Sequence, residues 1–224
     1  MIIIDDYIKD IDILKELKND KTFFPEAMGG GEKIATELNG YHYEKSDCYA
    51  PYMFWDGWWR SPANTLKKRI IKLIWENHLP KQQEEILGFE YWTRTYSPGQ
   101  YLDLHVDEDT FLYAKDKTFS GPIMGSVYYG CDNPDGGFLE IHPKAIQNGL
   151  KNVLEQGNLK EFIGTDEQKE RIRYKSNRLI IFNAGHILHN TTPAKSGIRQ
   201  VMIINVWDKE TPPLALSLNE FYYE

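Results

Sequence analysis

The second part of the chain is a succession of short strand-like segments, and this feature restricts the fold more than any other. From about residue 86, segments rich in β-branched and aromatic residues are separated by Gly, Pro, Asn or Asp. The segments are GFEYWTRTYS, YLDLHV, MGSVYYG, GFLEIH, RLIIFNA and RQVMIINVW. Such a series is typical of an antiparallel sandwich or barrel. We therefore predict a jelly-roll-like β core over residues 86–208.

The first 85 residues favour helices that would support this core. One helix is predicted in DDYIKDIDILKELKND, behind an N-cap at Asp5 or Asp6. Its apolar residues recur every three positions, at Ile8, Ile11, Leu14 and Leu17.

The clearest helix pattern is SPANTLKKRIIKLIWENHLP. Ser61 is placed to cap this helix, Pro62 suits its first turn, and Pro80 would end it. The predicted buried stripe consists of Leu66, Ile70, Leu73, Ile74 and Trp75. The basic run 67–69, together with Lys72, would then form the solvated face of the helix.

The chain is expected to form a single domain over residues 1–224, because this length can bury one core without disulfide support. Residues 1–85 would provide the helical support, 86–208 the β core, and 209–224 a C-terminal tail. Residues 144–177 lie between two predicted strands, and we expect them to form an insertion with one or two helices.

The composition narrows the classes of function. A net charge of −7 argues against binding to the phosphate backbone of a nucleic acid. The N-terminal stretch MIIIDDYIKD lacks the basic region of a signal peptide, and no apolar run approaches the length that crosses a bilayer. Cys48 and Cys131 form no CxxC pair and fit a reducing compartment. We expect a cytoplasmic protein with no membrane partner.

Chemistry is first indicated by YLDLHVDEDT, in which His105 and Asp107 flank Val106. On a β-strand, residues two apart point to the same face. An imidazole and a carboxylate would therefore lie side by side, with Leu104 and Val106 facing away. Such a pair suits the edge of a metal site, although two solvated side chains in a loop would give the same sequence. The choice between these interpretations depends on a third ligand.

The segment FNAGHILHNTTPAKSGIRQVMIINVW offers two candidates for the third ligand, His186 and His189. Only His189 stands ten residues before Arg199, which begins an apolar strand. A turn at PAKSG would fold that strand back beside the strand of the histidine, so that Arg199 projects into the same interior. Burying a guanidinium is costly unless an anion meets it, so the pattern favours a site for a dicarboxylate. Two histidines and one carboxylate, with open positions, suit non-haem Fe(II).

With these motifs, residues 86–208 resemble the Fe(II)/2-oxoglutarate-dependent dioxygenases, and most closely their prolyl 4-hydroxylase branch. The motifs that carry the resemblance are YSPGQYLDLHVD, SVYYGCDN, GGFLEIHP and FNAGHILHNTTPAKSGIR. The resemblance implies a double-stranded β-helix, which is a jelly-roll barrel with supporting helices. The chain departs from the family pattern in the longer insertion at 144–177, and its first 85 residues carry no family motif.

The same resemblance assigns the site residues. The implied catalytic iron ligands are His105, Asp107 and His189. The resemblance also implies that Arg199 binds the C5 carboxylate of 2-oxoglutarate and that Tyr129 hydrogen-bonds this carboxylate. Tyr96 would line the cosubstrate pocket.

The implied activity is hydroxylation of an unidentified peptide or small-molecule substrate. The reaction would consume O2 and 2-oxoglutarate and release succinate and CO2, with ascorbate as a supporting reductant. Asp107 fills the position that related halogenases leave open for a halide, which favours hydroxylation. Two alternatives stay open. One is a related oxygenase that acts on a small molecule or a nucleobase, and the other is a non-catalytic cupin-like module that binds a metal or a sugar.

Other segments also leave alternatives open. The aromatic stretch CYAPYMFWDGWWRSP, at 48–62, either packs the helical segment against the barrel or forms a wall for the substrate. His142 is either a structural histidine at a strand end or part of the pocket. His42 and His78 are expected at the surface. MGGGEK, at 28–33, is expected to be a loop because it lacks the ending of a phosphate-binding motif.

Overall fold

The computed structural model describes residues 1–24, 34–38, 41–45, 53–130, 134–146, 149–157, 159–163 and 165–214. The elements before residue 86 are β1 (Ile2–Ile4), α1 (Ile11–Asn19), β2 (Ile34–Leu38), β3 (Tyr41–Lys45), β4 (Met53–Trp55) and α2 (Leu66–Trp75). A short 3-10 turn at Gln83–Glu85 leads into the strands that follow.

From residue 86 the described chain is mostly β-strand. The strands are β5 (Ile86–Tyr96), β6 (Leu102–His105), β7 (Met124–Tyr129), β8 (Asp135–Gly136), β9 (Leu139–Ala145), β10 (Glu170–Ile172), β11 (Leu179–Phe182), β12 (Ile187–Thr191), β13 (Ala194–Ser196) and β14 (Arg199–Asp208). The helices are α3 (Thr110–Asp116), α4 (Gly149–Glu155) and α5 (Leu159–Phe162). None of the helices in the described residues has the length and apolar character needed to cross a bilayer.

Two antiparallel sheets pack against each other and build the barrel. The larger has the strand order β1-β11-β7-β14-β5-β4, and the smaller has the order β10-β9-β12-β6. Two further pairs, β13-β8 and β2-β3, stand apart from these sheets. All six strand-like segments recognised in the sequence after residue 86 fall on strands of the two sheets, so their prediction is confirmed.

The long strand β14 organises the larger sheet. It pairs with β5 along its whole length, from Arg199 opposite Tyr96 to Asp208 opposite Ile86, and with β7 on its other side. Its residues alternate between two apolar cores because successive side chains point to opposite faces. Val201 lies in the core between the sheets, whereas Met202 packs in the core that α1 and α2 cover.

The smaller sheet has its own outer layer. Leu188 of β12 and Val106, which follows β6, pack there against Val153 of α4 and the buried Ile146. Residues 144–177 therefore contain α4 and α5 as a cover for this sheet, and they also contain β10, which pairs with β9. The added strand was not expected in the insertion.

The first helix begins later than the sequence pattern indicates. Its N-cap is Asp10, whose carboxylate accepts hydrogen bonds from two backbone N–H groups of the first turn, so neither Asp5 nor Asp6 caps it. The preceding residues are held by the β core instead, since Tyr7 N donates to Asn177 O at 2.8 Å. Ile11 is therefore 59% exposed. Of the residues predicted to form the apolar stripe, Leu17 is the one that is fully buried within the helix.

The second helix is also shorter than expected. Thr65 caps it, with Oγ1 accepting from Lys68 N at 3.3 Å, because the hydroxyl of Ser61 is engaged with the indole of Trp55 and with Asp56. Pro62 thus lies outside the helix, which ends at Trp75, before Pro80.

The two faces of this helix differ in part from the prediction. Ile71 joins the buried stripe, and Leu73 is only half-buried. Lys68 was assigned to the solvated face, yet it is 7% exposed and its Nζ lies 5.7 Å from the ring centroid of Trp55. The aliphatic part of a lysine side chain can cover an aromatic ring in this way, so a charged residue does not by itself identify the solvent-exposed face of a helix.

Candidate metal centre

Two neighbouring strands of the smaller sheet bring three potential metal ligands together. His105 is the last residue of β6, and it pairs directly with His189 of β12. Asp107 follows two residues later. The strand register thus places two residues that are 84 positions apart in sequence side by side. One ligand atom from each of the three side chains lies within 4.8 Å of the others.

The nitrogen and oxygen atoms of the three side chains converge on one point. His105 Nε2 lies 3.5 Å from Asp107 Oδ1, and His189 Nε2 lies 3.7 Å from the same oxygen. The Nδ1 atoms point away, each to a backbone carbonyl: that of His105 to Asp103 O at 2.7 Å, and that of His189 to Ile187 O at 2.8 Å. Because an Nδ1–H donates to the carbonyl, each Nε2 keeps a lone pair for a metal.

The electrostatics of the cluster favour metal-binding protonation states. Burial and the neighbouring His105 lower the pKa of His189 to about 4, so its imidazole is neutral at pH 7. Burial acts to raise the pKa of Asp107, but His105, His189 and Asn205 outweigh it and hold this pKa below its usual value. At neutral pH the site therefore presents a neutral imidazole at His189 and a carboxylate at Asp107.

Asp107 reaches the cluster from the irregular segment after β6 and not from a continuous strand. Strand β6 ends at His105, so Asp107 lies beyond its pairing with β12. The backbone N–H of Asp107 donates to Ala184 O at 2.9 Å. The side chains of His105 and Asp107 nevertheless point to the same side of the smaller sheet, as predicted, since Leu104 and Val106 pack on its opposite, outer side. The side chains of His105 and Asp107 are 28% and 13% exposed, which argues against two fully solvated side chains.

Arg199 lies in the same barrel, but on the other sheet. The sequence suggested that its strand lies beside the strand of His189, whereas β14 is flanked by β7 and β5 and belongs to the larger sheet. The guanidinium crosses the interior to the smaller sheet. There Nη2 donates to Thr191 Oγ1 at 3.1 Å, and Nη1 donates to Thr192 O at 3.4 Å.

The Arg199 side chain is buried, and it meets no anionic side chain among the residues that the structure describes. It is 2% exposed, and its Nε has no hydrogen-bond partner. Within the described part of the chain, no carboxylate lies at salt-bridge distance from this guanidinium. A desolvated cation without a counter-ion is costly, so the geometry fits a bound anion at this end of the barrel.

Two tyrosines complete the surroundings of the guanidinium. The ring of Tyr96, which pairs with Arg199 across the ladder, lies 3.9 Å from its Cζ. Tyr129 pairs with Val201 and stacks on Tyr174 at 4.4 Å between ring centroids. Burial raises the pKa of Tyr129, so its hydroxyl stays protonated and can donate a hydrogen bond.

The other histidines lie outside this cluster. His186 Nδ1 is 2.9 Å from Ile146 O, on the outer side of the smaller sheet. His142 is buried within β9, which continues to Ala145, and its Nε2 is 3.0 Å from Asn190 Oδ1. His78 is half-buried, so its predicted surface position holds only in part. The side chain of His42 and the MGGGEK loop lie outside the described residues.

Asn205 is a member of the site that sequence reasoning missed. It lies on β14, and together with His105 and His189 its side chain holds the pKa of Asp107 below its usual value. Its local sequence, MIINVW, reads as an ordinary buried strand, so only the pairing of the sheets reveals its position.

The described part of the aromatic stretch, residues 53–62, packs on the larger sheet. Trp58 stacks on Phe89 at 5.7 Å between ring centroids, and Trp55 and Trp59 surround the same ring. These contacts favour the packing interpretation for this part of the stretch. Residues 48–52 lie outside the described residues.

Comparison with known proteins supports the fold. No family model matches the sequence, and no curated protein matches it. The structure is similar to a prolyl-4-hydroxylase from Pseudomonas putida, with a TM-score of 0.55 and 14% identity over 93% of this chain and 92% of that one. It is also similar to a prolyl hydroxylase from Trichoplax adhaerens in complex with a hypoxia inducible factor peptide, with a TM-score of 0.54 and 16% identity over 96% of this chain and 86% of that one. The predicted double-stranded β-helix is thereby confirmed.

Proposed function

We propose that this protein is an Fe(II)- and 2-oxoglutarate-dependent dioxygenase that hydroxylates its substrate in the manner of the prolyl hydroxylases. One observation carries the proposal: a two-histidine, one-carboxylate cluster shares a barrel interior with a buried arginine that has no carboxylate partner among the described residues. Together they match a metal that binds a chelating dicarboxylate.

The donor set fits ferrous iron. His105, Asp107 and His189 would hold the ion through two neutral nitrogens and one carboxylate oxygen, and such a set leaves other coordination positions free. The hydrogen bonds from the two Nδ1–H groups to backbone carbonyls fix the rings, so binding requires little reorganisation. A carboxylate at Asp107 also occupies the position that a halide would need, which favours hydroxylation.

The surroundings of Arg199 fit the distal carboxylate of 2-oxoglutarate. The guanidinium supplies the charge, and the hydroxyls of Thr191 and Tyr129 lie near it in the same interior. An arginine paired with a carboxylate forms parallel charge-assisted hydrogen bonds, which fix the orientation of the ligand as well as its affinity. When both are bound, iron and 2-oxoglutarate supply the reaction with O2 that yields succinate, CO2 and hydroxylated substrate.

The chain itself orients the reactants and excludes water. Arg199 would anchor one end of the cosubstrate, while the cluster receives the other. Apolar side chains between the sheets, among them Phe182, Val201 and Ile203, line the interior and keep it dry. Tyr96 covers one face of the guanidinium, so the positive charge is directed toward the ligand.

For the substrate we propose a proline-containing peptide. Support comes from the Trichoplax adhaerens structure of the same fold, which holds a peptide fragment. The net charge of −7 argues against a nucleic acid.

An anaerobic titration tests the proposal. The protein is mixed with Fe(II) and then with 2-oxoglutarate, and the weak visible charge-transfer band of the chelate is recorded. We expect the band in the wild type and its loss in His189→Ala. A cupin-like binding module would take up the metal without this band.

Turnover is then measured as succinate release in air, with Fe(II), ascorbate and a panel of proline peptides, free amino acids and nucleotides. Substrate-coupled release with a proline peptide supports the whole proposal. Succinate release only with another class of compound would support the dioxygenase activity but would assign it a different substrate. Full turnover in both His105→Ala and Asp107→Ala would refute the iron site.

A further inference from the structure

A cleft lies on the outer face of the smaller sheet, on the side that faces away from the candidate metal centre. Its volume is about 340 Å³, which falls in the range of pockets that hold small molecules. Along β9 the side chains alternate between the two faces of the sheet. Leu139 and Ile141 pack inside the barrel, so Glu140 and His142 face the cleft, which they help to line. A ligand in this cleft would therefore be separated by the sheet from the interior of the barrel.

The long insertion at 144–177 builds one wall of the cleft. Ile163, which follows α5, and Lys169, which precedes β10, line the cleft from this side. The smaller sheet supplies the other wall, with residues 101–104 around the start of β6 and residues 190–193 around the end of β12. The cleft thus depends on the segment in which this chain departs from the family pattern.

A chain of hydrogen bonds along this face ends at a buried histidine nitrogen. Arg171 Nε donates to Glu140 Oε1 at 2.7 Å, and Asn190 Nδ2 donates to Glu140 Oε2 at 3.1 Å. Because the carboxylate only accepts, the amide keeps Oδ1 for His142, whose Nε2 donates to it at 3.0 Å. In the neutral imidazole Nδ1 is then an acceptor, and it has no hydrogen-bond partner among the described residues. His142 is 3% exposed, and an unpaired buried acceptor is costly, so this nitrogen is suited to a donor from a ligand.

The charges around the cleft are already paired. Both carboxylate oxygens of Glu140 accept hydrogen bonds, and Lys169 Nζ lies 3.0 Å from Asp166 Oδ1. Asp103 is exposed to solvent at the rim. Most of the remaining lining is apolar, with Tyr101, Leu102, Leu104, Ile163 and Pro193. A ligand that fits this lining is neutral, has an apolar face and carries a hydroxyl that can donate.

We propose that this cleft binds a neutral polyhydroxylated compound, of the sugar or cyclic polyol class, through a hydroxyl that donates to His142 Nδ1. The C–H face of such a ring would pack against Tyr101, whose side chain is 59% exposed. Neighbouring atoms cover Nδ1, so binding includes a small shift of the side chains that line the cleft. The site is independent of the proposed metal and cosubstrate, because the sheet lies between them.

The test uses the wild-type protein with glucose, maltose and myo-inositol as neutral probes. Binding is measured by saturation-transfer NMR on the probe, and the nitrogen resonances of the histidine rings are recorded in the same titration. We expect saturable binding of at least one probe at millimolar concentration, with a shift of the His142 Nδ1 resonance. The resonances of His105 and His189 should stay unchanged, since these rings face the barrel. Glucuronate and glucosamine carry a charge and should bind more weakly than the neutral probes.

Two variants with different risks of misfolding test the contacts, and circular dichroism checks their fold. His142→Phe keeps a ring without the acceptor and should weaken binding about 2–10-fold, the contribution of one hydrogen bond. Tyr101→Ala changes an exposed side chain and should weaken binding in the same direction. Leu154→Ala, at an exposed position of α4 that does not line the cleft, is the control and should bind as the wild type does. No saturable binding of any neutral probe, binding of the charged sugars alone, or unchanged affinity in the folded variants would overturn the proposal.

Discussion

Replacing Arg199 by methionine should separate the stability of the protein from its binding of cosubstrate. In the absence of a ligand, the guanidinium has one good hydrogen bond at 3.1 Å, a longer one at 3.4 Å, and the stacking contact with Tyr96 at 3.9 Å. Together these contribute roughly 3–5 kcal/mol. Methionine loses them but recovers a desolvation penalty of several kcal/mol, since no anion offsets the buried charge.

The two contributions nearly cancel, so the free energy of unfolding of the ligand-free variant should change by less than about 1 kcal/mol. An ordinary truncation in a core would cost roughly 2–5 kcal/mol. Binding should respond very differently. Losing one partner of a charge-assisted carboxylate pair costs about 3 kcal/mol or more, which is roughly a 150-fold rise in the Kd for 2-oxoglutarate.

The assay is urea unfolding, with Mn(II) in place of iron so that no turnover occurs. At 2-oxoglutarate concentrations near 100 times the wild-type Kd, the wild type should gain about 2.7 kcal/mol and Arg199→Met only about 0.3 kcal/mol. Met202→Leu, on the other face of β14, is the control and should gain as the wild type does. Destabilisation of ligand-free Arg199→Met by more than about 2 kcal/mol, or an unchanged ligand effect, would refute the reasoning.

Three further predictions concern stability and use chemical denaturation. Burial acts to raise the pKa of Asp208, but Lys81 and Thr211 outweigh it and lower this pKa. The ionised Asp208 therefore stabilises the folded state at pH values above the ordinary carboxyl pKa, and this stabilisation is lost as the pH falls below it. Lys81→Met should therefore lower the free energy of unfolding at pH 7 and flatten its loss below about pH 4; identical acid profiles would contradict this. Gly57→Ala should cost more than about 1 kcal/mol, because its φ is +94° and a Cβ would lie 2.6 Å from the Trp59 ring. Asp10→Ala should cost about 1 kcal/mol through the lost cap of α1, whereas an unchanged midpoint would argue against that cap.

Local patterns in the sequence were sufficient to predict six strands of the core and three candidate metal ligands. Segments such as RLIIFNA and RQVMIINVW are apolar, short and bounded by turn residues, so their state is decided by nearby residues. The pair of His105 and Asp107 depends only on spacing. His189 was selected by its distance from Arg199, and the structure places all three side chains together.

The features that could not be predicted from the sequence depend on pairing between strands that are distant in sequence. Residues 2–4 form a strand only because β11 offers an edge, and the helix after them starts where Asp10 accepts backbone hydrogen bonds. The turn before Arg199 returns the chain to the opposite sheet, which no pattern within PAKSG indicates. Asn205 influences the pKa of Asp107 from β14, a strand of the other sheet. Each of these features depends on elements distant in sequence.

The most direct measurement is a crystal structure of the protein soaked without oxygen in Mn(II) and 2-oxoglutarate. We predict a single ion coordinated by His105 Nε2, His189 Nε2 and one carboxylate oxygen of Asp107. The ligand should chelate that ion and extend its far carboxylate to Arg199. An ion bound elsewhere, or a ligand that leaves the guanidinium without an anion, would contradict the central claim.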